Sequence, residues 1–316
     1  MVGSTTVSAV PKERKRLPFL LEVVVRLVRE KPLGTFGGAI VVMLVLVGIF
    51  APLIAPHGYN YQDATARLQA PSAKYLLGTD NLGRDLLSRI IFGARISMIV
   101  GVSVPAISTV LNLLIGGTSA YVGGKIDLMV QRFVDTVMCF PGLIVMLTVV
   151  AIVGPGMVQL VLLLGILGGL GGGNRVVRSV VVGIKENVYV DAAKSVGASN
   201  WRIMTKHILP NIMAILIVSF SMGMGGAILA ESSLSFLGYG IPPPAPSWGG
   251  MLSGPARNYM LQAPWMAIWP GLALALVVYG MNMFGDGLRD VLDPRLRGGL
   301  GRYGNTKAKK KAGFTA

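Results

Sequence analysis

Five stretches of this 316-residue chain are long, apolar and free of Asp, Glu, Lys and Arg. A helix that crosses a bilayer needs roughly 20 such residues, because the hydrocarbon offers no water to solvate a charge. The longest stretch, 136–174, contains 39 residues, or ~58 Å of helix at ~1.5 Å per residue. This length predicts two spans joined at Gly154-Pro155-Gly156. The other spans are predicted in 34–55, 96–124, 208–230 and 264–285.

Basic residues are distributed unevenly over the loops between these six predicted spans. Of the 29 Lys and Arg residues, 23 fall in 1–33, 125–135, 174–207 and 286–316, and six fall in the alternate loops. Because Lys and Arg accumulate on the cytoplasmic side of a membrane, this bias predicts that both termini are cytoplasmic. The predicted fold class is an all-α polytopic membrane protein with six transmembrane helices.

The spans divide the chain into four segments. They are a cytoplasmic N-terminal segment at 1–33, the first span with an extracytoplasmic loop at 34–95, a core of five spans with a cytoplasmic loop (174–207) at 96–290, and a basic cytoplasmic tail at 291–316. Within the first segment, the charges between Leu17 and Lys31 lie on one stripe, which predicts an amphipathic helix at the membrane interface. We expect the tail to meet anionic lipid and not nucleic acid.

Residues that commonly carry enzyme chemistry are scarce. One cysteine cannot form an intramolecular disulfide, and two histidines are too few for a common zinc site. The glycine run at 168–173 lacks the spacing of a dinucleotide fingerprint, and Gly124-Lys125 lacks the first glycine of a phosphate loop. We expect no catalytic residue, bound cofactor or metal in this chain. An ion-coupled transporter has little support, because the uncharged windows supply no acid or base.

Charged residues cluster at 78–85, where the chain reads Gly-Thr-Asp-Asn-Leu-Gly-Arg-Asp. Asp80 and Asp85 offer oxygen ligands, but their spacing differs from that of the calcium loop and Arg84 would repel the ion. We favour a turn in which the two Asp side chains cap backbone amides at the start of the second span.

Asp135 and Glu231 lie near the ends of the third and fifth spans, where a charge is costly unless it is paired or hydrated. For Asp135 we favour an ion pair with Arg132, three residues earlier on the same helix. Glu231 opens an outward-facing loop, where it either belongs to a substrate or gating site that could contact an external partner, or forms an ion pair at the membrane boundary. The sequence leaves both roles of Glu231 open.

The cytoplasmic loop between spans four and five carries the most informative pattern. A short helix is predicted at Glu186 to Ser195, with Ala192 and Ala193 as a small patch that another protein can approach. Gly197 permits a sharp change of direction. A second helical stretch then leads to Pro210, at the entrance of span five. A surface helix joined rigidly to a span can act as a lever.

This loop resembles the E-A-A, three residues, G, nine residues, I-x-L-P signature of permease subunits in binding-protein-dependent ABC importers. Asp191 stands at the Glu position and His207 at the Ile position. The residues that match the signature are Ala192, Ala193, Gly197, Leu209 and Pro210. Segments that resemble the second, C-type permease subunit of dipeptide, oligopeptide and nickel importers are 77–80, 83–85, 93–95, Arg132 with Asp135 and Pro141, and 231–238.

The resemblance implies a type I ABC importer permease fold in a prokaryotic plasma (inner) membrane. It implies a second homologous permease subunit, two cytoplasmic ATPase subunits that bind the ATP and Mg, and an extracytoplasmic substrate-binding protein as partners. The implied ATPase-coupling residues are Glu186, Asp191, Ala192, Ala193, Gly197, Leu209 and Pro210. Candidates for an extracytoplasmic loop or gate are Asp80, Arg84, Asp85 and Glu231. Peptides are the favoured cargo, with nickel complexes or oligosaccharides as alternatives.

Overall fold

The structure is a computed structural model that describes residues 19–292. Most of the predicted basic tail, and the first residues of the chain, lie outside this range. The described residues form helices, with one isolated β-bridge between Thr79 and Asp85. The helices are α1 (Phe19–Glu30), α2 (Pro32–Ile54), α3 (Leu86–Val122), α4 (Gly124–Met138), α5 (Gly142–Val153), α6 (Met157–Gly169), α7 (Gly172–Lys185), α8 (Val188–Ser195), α9 (Asn200–Phe236), α10 (Trp248–Met251), α11 (Gly254–Asn258) and α12 (Trp265–Leu292).

Four helices are long and apolar enough to cross a membrane, namely α2, α3, α9 and α12. Two pairs, α4 with α5 and α6 with α7, pass the same test together but are bent by 85° and 43°. If each bent pair forms one span, the described part of the chain has the predicted six.

The two spans predicted within 136–174 are each a bent pair of helices, and the pairs extend beyond that range on both sides. Helices α5 and α6 have only 12 and 13 residues, or about 18–20 Å, against ~30 Å of hydrocarbon. Pro141 separates α5 from α4, since it lacks a backbone N–H and disfavours helical geometry at the residue before it. The predicted turn between the two arms is confirmed, with Gly154 in the left-handed region at φ +91°.

The ends of three other spans were predicted too short, because the helices continue through charged residues. Helix α3 begins at Leu86, ten residues before its uncharged window, and it contains Arg89 and Arg95. Helix α9 continues to Phe236 and helix α12 to Leu292, both beyond the windows that predicted them. A window without charges therefore underestimates a helix whose charged residues have partners.

A helix is present in the predicted amphipathic segment as α1, and its position at the membrane interface stays a prediction. Glu22 and Arg26 form an ion pair on it at 2.5 Å. Its buried residue Leu27 contacts the place where α2 crosses α12. At that crossing a Cβ added to Gly34 would lie 2.8 Å from the Gly287 Cα, so only small residues allow the two backbones to approach. The contact of α2 with α12 closes one side of the bundle.

Helix α9 occupies the centre of the bundle and contacts α3 on one side and α12 on the other. Loops 55–85 and 237–264 pack together at the end that the basic residues predict to be extracytoplasmic, which we call the outer end. The Trp265 Nε1 donates to the Thr79 carbonyl at 3.1 Å, and the Trp248 Nε1 donates to the Ile90 carbonyl at 3.0 Å. The buried indole of Trp248 and the partly buried indole of Trp265 therefore fix both loops to the ends of the spans.

Candidate functional site

The predicted coupling helix is present as α8, between two sharp changes of chain direction. It follows α7 after a two-residue link, and it ends before Gly197, whose φ of +81° lies in the left-handed region. The Gly197 N–H donates to the Lys194 carbonyl, and the Ala198 N–H donates to the Ala193 carbonyl. Ser199 Oγ then accepts from the Arg202 N–H and caps α9. Gly197 is therefore the turn that the signature predicted.

One face of α8 anchors it to the neighbouring helices. Val190 and Ala193 are buried against Val177 and Val181 of α7 and against Ile203 at the start of α9. The burial of Ala193 corrects the predicted patch, because only Ala192 of the two alanines is exposed. Alanine at 193 is small enough for α8 to lie close to its neighbours.

The other face of the coupling segment carries large apolar side chains in solvent. Val188 and Val196 are each 84% exposed, and Trp201 is 77% exposed. Sequence reasoning missed these three residues, although an aromatic residue four positions after the signature glycine was a visible signal. Large apolar groups with this exposure are typical of a surface that a partner covers.

The remaining predicted coupling residues surround this face. Glu186 lies at the end of α7 and is exposed, as is Asp191 on α8. The Asp191 Oδ1 pairs with the Lys194 Nζ at 2.9 Å. Leu209 is partly buried and Pro210 is exposed, and both lie in α9 directly after a π-helical turn at Met204–Ile208.

A row of polar contacts, which we call the polar ladder, joins α7 to α4. Arg178 donates from Nε to both oxygens of Asp127, at 2.9 and 3.1 Å, and from Nη2 at 2.5 Å. One turn along α4, the Gln131 Nε2 donates to the Asn174 Oδ1 at 3.3 Å. These contacts attach α7, the helix that leads into α8, to α4, most of which lies in the predicted loop 125–135 before the third predicted span.

The ladder ends at Asp135, for which an ion pair with Arg132 was predicted. That pair is present at 3.9 Å, but Arg175 of α7 lies closer, with its Nη2 2.5 Å from the Asp135 Oδ1. The pairing with Arg175 was not predictable because 40 residues separate the two positions.

At the outer end, the aspartates of 78–85 cap backbone amides as predicted. The Asp85 Oδ2 accepts from the Ser88 N–H at the start of α3. The Asp80 Oδ1 accepts from the Leu82 and Arg84 N–H groups, and its Oδ2 accepts from the Arg84 Nε at 2.6 Å. Within residues 19–292 no cluster of three or more His, Cys, Asp or Glu is placed to hold a metal ion.

Glu231 does not open a loop, because α9 continues five residues beyond it. Its side chain is fully buried and accepts hydrogen bonds from the Ser235 Oγ at 2.6 Å and the Ser232 Oγ at 3.2 Å. Within the described residues its partners are serine hydroxyls and not a basic side chain, which contradicts the predicted ion pair, whereas a role in a substrate or gating site stays a prediction. In the described residues Glu231 is a hydrogen-bonded interior group, one turn from the outer end of α9.

Two cavities lie along the bundle. The inner cavity, of about 430 Å³, is bordered by α3, the end of α4, α5, α6 and α9, and no described residue that lines it is charged. The outer cavity, of about 440 Å³, lies among the 80–89 segment, the loop after α9 and helices α10 and α11. An apolar cluster that includes Leu164, Ala227 and Ala245 contacts both cavities. The bundle is therefore closed by apolar packing between its two cavities.

This fold, with a helical bundle and an exposed helix on the loop before the fifth span, is that of a transport permease. The chain belongs to the family of binding-protein-dependent transport system inner membrane components, whose model matches residues 112–298. The N-terminal transmembrane domain of oligopeptide transport permease C matches residues 20–71. The protein is thus a multi-pass cell membrane protein, and the C-type permease resemblance is confirmed.

Several curated relatives cover most of the chain. The dipeptide transport system permease protein DppC of Alkalihalophilus pseudofirmus is 39% identical, over 85% of this chain and 88% of its own length. The probable D,D-dipeptide transport system permease protein DdpC of Escherichia coli is 37% identical, over 94% and 99%. The glutathione transport system permease protein GsiD of Pectobacterium atrosepticum is 39% identical, over 83% and 86%.

Proposed function

We propose that this protein is the C-type permease subunit of an ATP-driven importer of short peptides. The observation that carries the proposal is α8, which exposes apolar side chains while its buried face is fixed to two spans. Dipeptide and glutathione permeases among the relatives favour peptides over nickel complexes or oligosaccharides. In this proposal the chain binds no cofactor and catalyses no reaction.

The proposal assigns partners to both ends of the bundle. Two cytoplasmic ATPase subunits bind the ATP and Mg, and one of them receives α8 in a groove that covers Val188, Val196 and Trp201. A second homologous permease subunit supplies the other half of the translocation path. An extracytoplasmic substrate-binding protein docks on loops 55–85 and 237–264. Both chain termini lie in the cytoplasm, as the distribution of Lys and Arg predicts.

Movement of α8 can reach the inner cavity by two routes. The first runs through the turn at Gly197 into α9, which contributes Ser219, Gly223 and Gly226 to the cavity wall. The second runs back through α7 and the polar ladder to α4, whose residues Val137 and Met138 line the same cavity. Closure of the ATPases on ATP would therefore move two walls of the path together.

The test uses two substitutions in the coupling segment that leave the bundle core untouched. Gly197→Pro cannot adopt a φ of +81°, since proline fixes φ near about −65°, and Asp191→Lys reverses an exposed charge. We expect both variants to reach the membrane at normal levels and to lose uptake of a labelled dipeptide. Gly183→Ala in α7 is the matched control, because its added methyl meets open space.

Uptake is measured in cells that express the complete transporter. Normal uptake by both variants would refute coupling through α8. Uptake that continues when the partner ATPases cannot hydrolyse ATP would refute the importer and favour an ion-coupled transporter instead.

A further inference from the structure

Two arginine side chains line the outer cavity, and protein atoms hold both in place. The Arg84 Nε donates to the Asp80 Oδ2 at 2.6 Å, and the Arg89 Nε lies 3.9 Å from the same oxygen. The Arg89 Nη1 donates to the Tyr59 carbonyl at 3.0 Å. Two guanidinium groups facing one carboxylate leave a net positive charge at this wall of the cavity.

These contacts leave strong hydrogen-bond donors unused. Within residues 19–292, Arg84 donates through Nε alone, although its side chain is only 12% exposed. Arg89, with 8% of its side chain exposed, donates only through Nη1. None of their other side-chain nitrogens is among the fully buried atoms that lack a partner, so these charged donors face the space of the cavity, where a bound anion can accept from them. A carboxylate fits the two-pronged guanidinium edge better than a spherical anion does.

The rest of the outer cavity suits a small organic ligand. Its volume of about 440 Å³ falls within the ~300–1,000 Å³ typical of small-molecule sites. Pro242, Ala245 and Met266 contribute apolar wall to the same cavity. Asn81 also lines the cavity, and its buried side-chain oxygen accepts no hydrogen bond from a described residue. The cavity thus combines a cationic anchor, a free amide and an apolar wall.

The two cavities differ in charge, and this difference distinguishes a site that holds a carboxylate from one that does not. No described residue around the inner cavity is charged, so a carboxylate that moved inward past the apolar cluster would lose its ionic partner. We propose, on the basis of the function proposed above, that the outer cavity is a carboxylate site. In this site Arg84 and Arg89 hold the C-terminal carboxylate of a short peptide before the peptide passes inward.

The test measures equilibrium binding of radiolabelled trialanine and of trialanine amide to the purified full-length chain in lipid nanodiscs. We expect the free acid to bind at least about tenfold more tightly than the amide, because only the acid offers a charged partner to the arginines. In Arg84→Gln this difference should disappear, with the acid weakened and the amide unchanged. Arg257→Gln, at an exposed arginine outside the outer cavity, should keep the full difference.

The outcomes separate this site from its alternatives. Equal binding of acid and amide by the wild type, no binding of either, or a difference that survives in Arg84→Gln would each overturn the proposal. Equal binding of the two peptides together with weaker docking of the substrate-binding protein to Arg84→Gln would overturn it in favour of a docking role for the arginines.

Arg84 also holds Asp80, so a second variant guards against misfolding. Arg84→Lys keeps the charge beside Asp80 but removes the planar guanidinium edge, and it should reduce the preference for the acid without loss of thermal stability. The proposed function is tested separately, by measuring ATP-dependent uptake. If ATP-dependent uptake is absent but the chain still binds the acid more tightly than the amide, the importer is refuted and the carboxylate site is not. If uptake is present but acid and amide bind equally, only the carboxylate site is refuted.

Discussion

The ion pair between Asp127 and Arg178 gives a sharp prediction, because its two partners differ in burial. The Asp127 side chain is 11% exposed and the Arg178 side chain is 38% exposed. Removing Arg178 leaves a largely buried carboxylate without its bidentate partner. Removing the charge of Asp127 leaves a guanidinium that water already reaches.

The difference in burial between Asp127 and Arg178 determines which substitution should destabilise the protein more. Breaking a fully buried pair costs about 3–5 kcal/mol, and a fully exposed pair contributes about 0.2–1 kcal/mol. Arg178→Gln should therefore lower the free energy of unfolding by about 2 kcal/mol, and Asp127→Asn by about 1 kcal/mol. The double variant should lose no more than Arg178→Gln alone, because it leaves no unpaired charge.

The assay is thermal unfolding of the purified chain in mild detergent, where a loss of 2 kcal/mol corresponds to a lower midpoint by roughly 4–8 °C. Arg175→Gln is the matched control. It lies on the same helix and removes one ion pair to Asp135, but both of those side chains are well exposed, at 52% and 39%. We expect a change below about 1 kcal/mol for the control.

The same pair also bears on coupling, since it joins α7, the helix before α8, to α4, whose last residues line the inner cavity. Arg178→Gln should reduce the peptide taken up per ATP hydrolysed in the reconstituted transporter, and Arg175→Gln should reduce it less. Equal destabilisation by the two substitutions, or a greater loss in Asp127→Asn than in Arg178→Gln, would refute the reasoning from burial.

Two further predictions concern packing and the outer loop. Gly37→Ala places a Cβ 2.6 Å from a backbone nitrogen of α12, whereas a Cβ at Gly226 meets open space. We expect Gly37→Ala to lower the free energy of unfolding by about 1–3 kcal/mol. Gly226→Ala should raise it by up to about 1 kcal/mol, and thermal unfolding measures both changes. Donation from the Thr65 hydroxyl and then the Lys74 ammonium holds the pKa of the Asp63 carboxyl well below its usual range. This contribution is present above pH about 4 and is lost only as the pH falls further. The protection factors for hydrogen exchange in the loop, which correct for the base-catalysed intrinsic rate, should therefore be equal at pH 7 and pH 5 and lower in Asp63→Asn. Equal protection in that variant would contradict the prediction.

The sequence predicted the number and order of the candidate spans but misjudged their ends. Absence of charge locates the middle of a span because burying an unpaired charge in hydrocarbon is expensive. It fails where the charge has a partner from a distant part of the chain, as Arg89 has in the carbonyl of Tyr59 and Asp127 has in Arg178. These partners lie 30 and 51 residues away, so no local pattern reveals them.

The coupling segment was located by its signature, but its exposed face was not. Helix α8 has only eight residues, or about two turns, which is too short for a periodic pattern to distinguish the buried face from the exposed one. Ala193 and Val190 face inward because α7 and the start of α9 pack against them, and that arrangement depends on the turn at Gly197. Only the tertiary structure shows that Val188 and Val196 face outward together.

Because two spans are bent, the coupling segment is connected to helices on both sides of the inner cavity. A straight span through 124–153 would carry the charges of α4 along the axis of the bundle. The 85° bend instead brings Asp127 and Asp135 of α4 within reach of the Arg178 and Arg175 side chains of α7. Since α7 leads into α8 and α8 leads into α9, one rigid displacement of α8 acts on α4 through ion pairs and on α9 through the backbone. Breaking the ladder should therefore uncouple one wall of the cavity and leave the other coupled, so transport should weaken without being lost, whereas breaking the turn at Gly197 should abolish it.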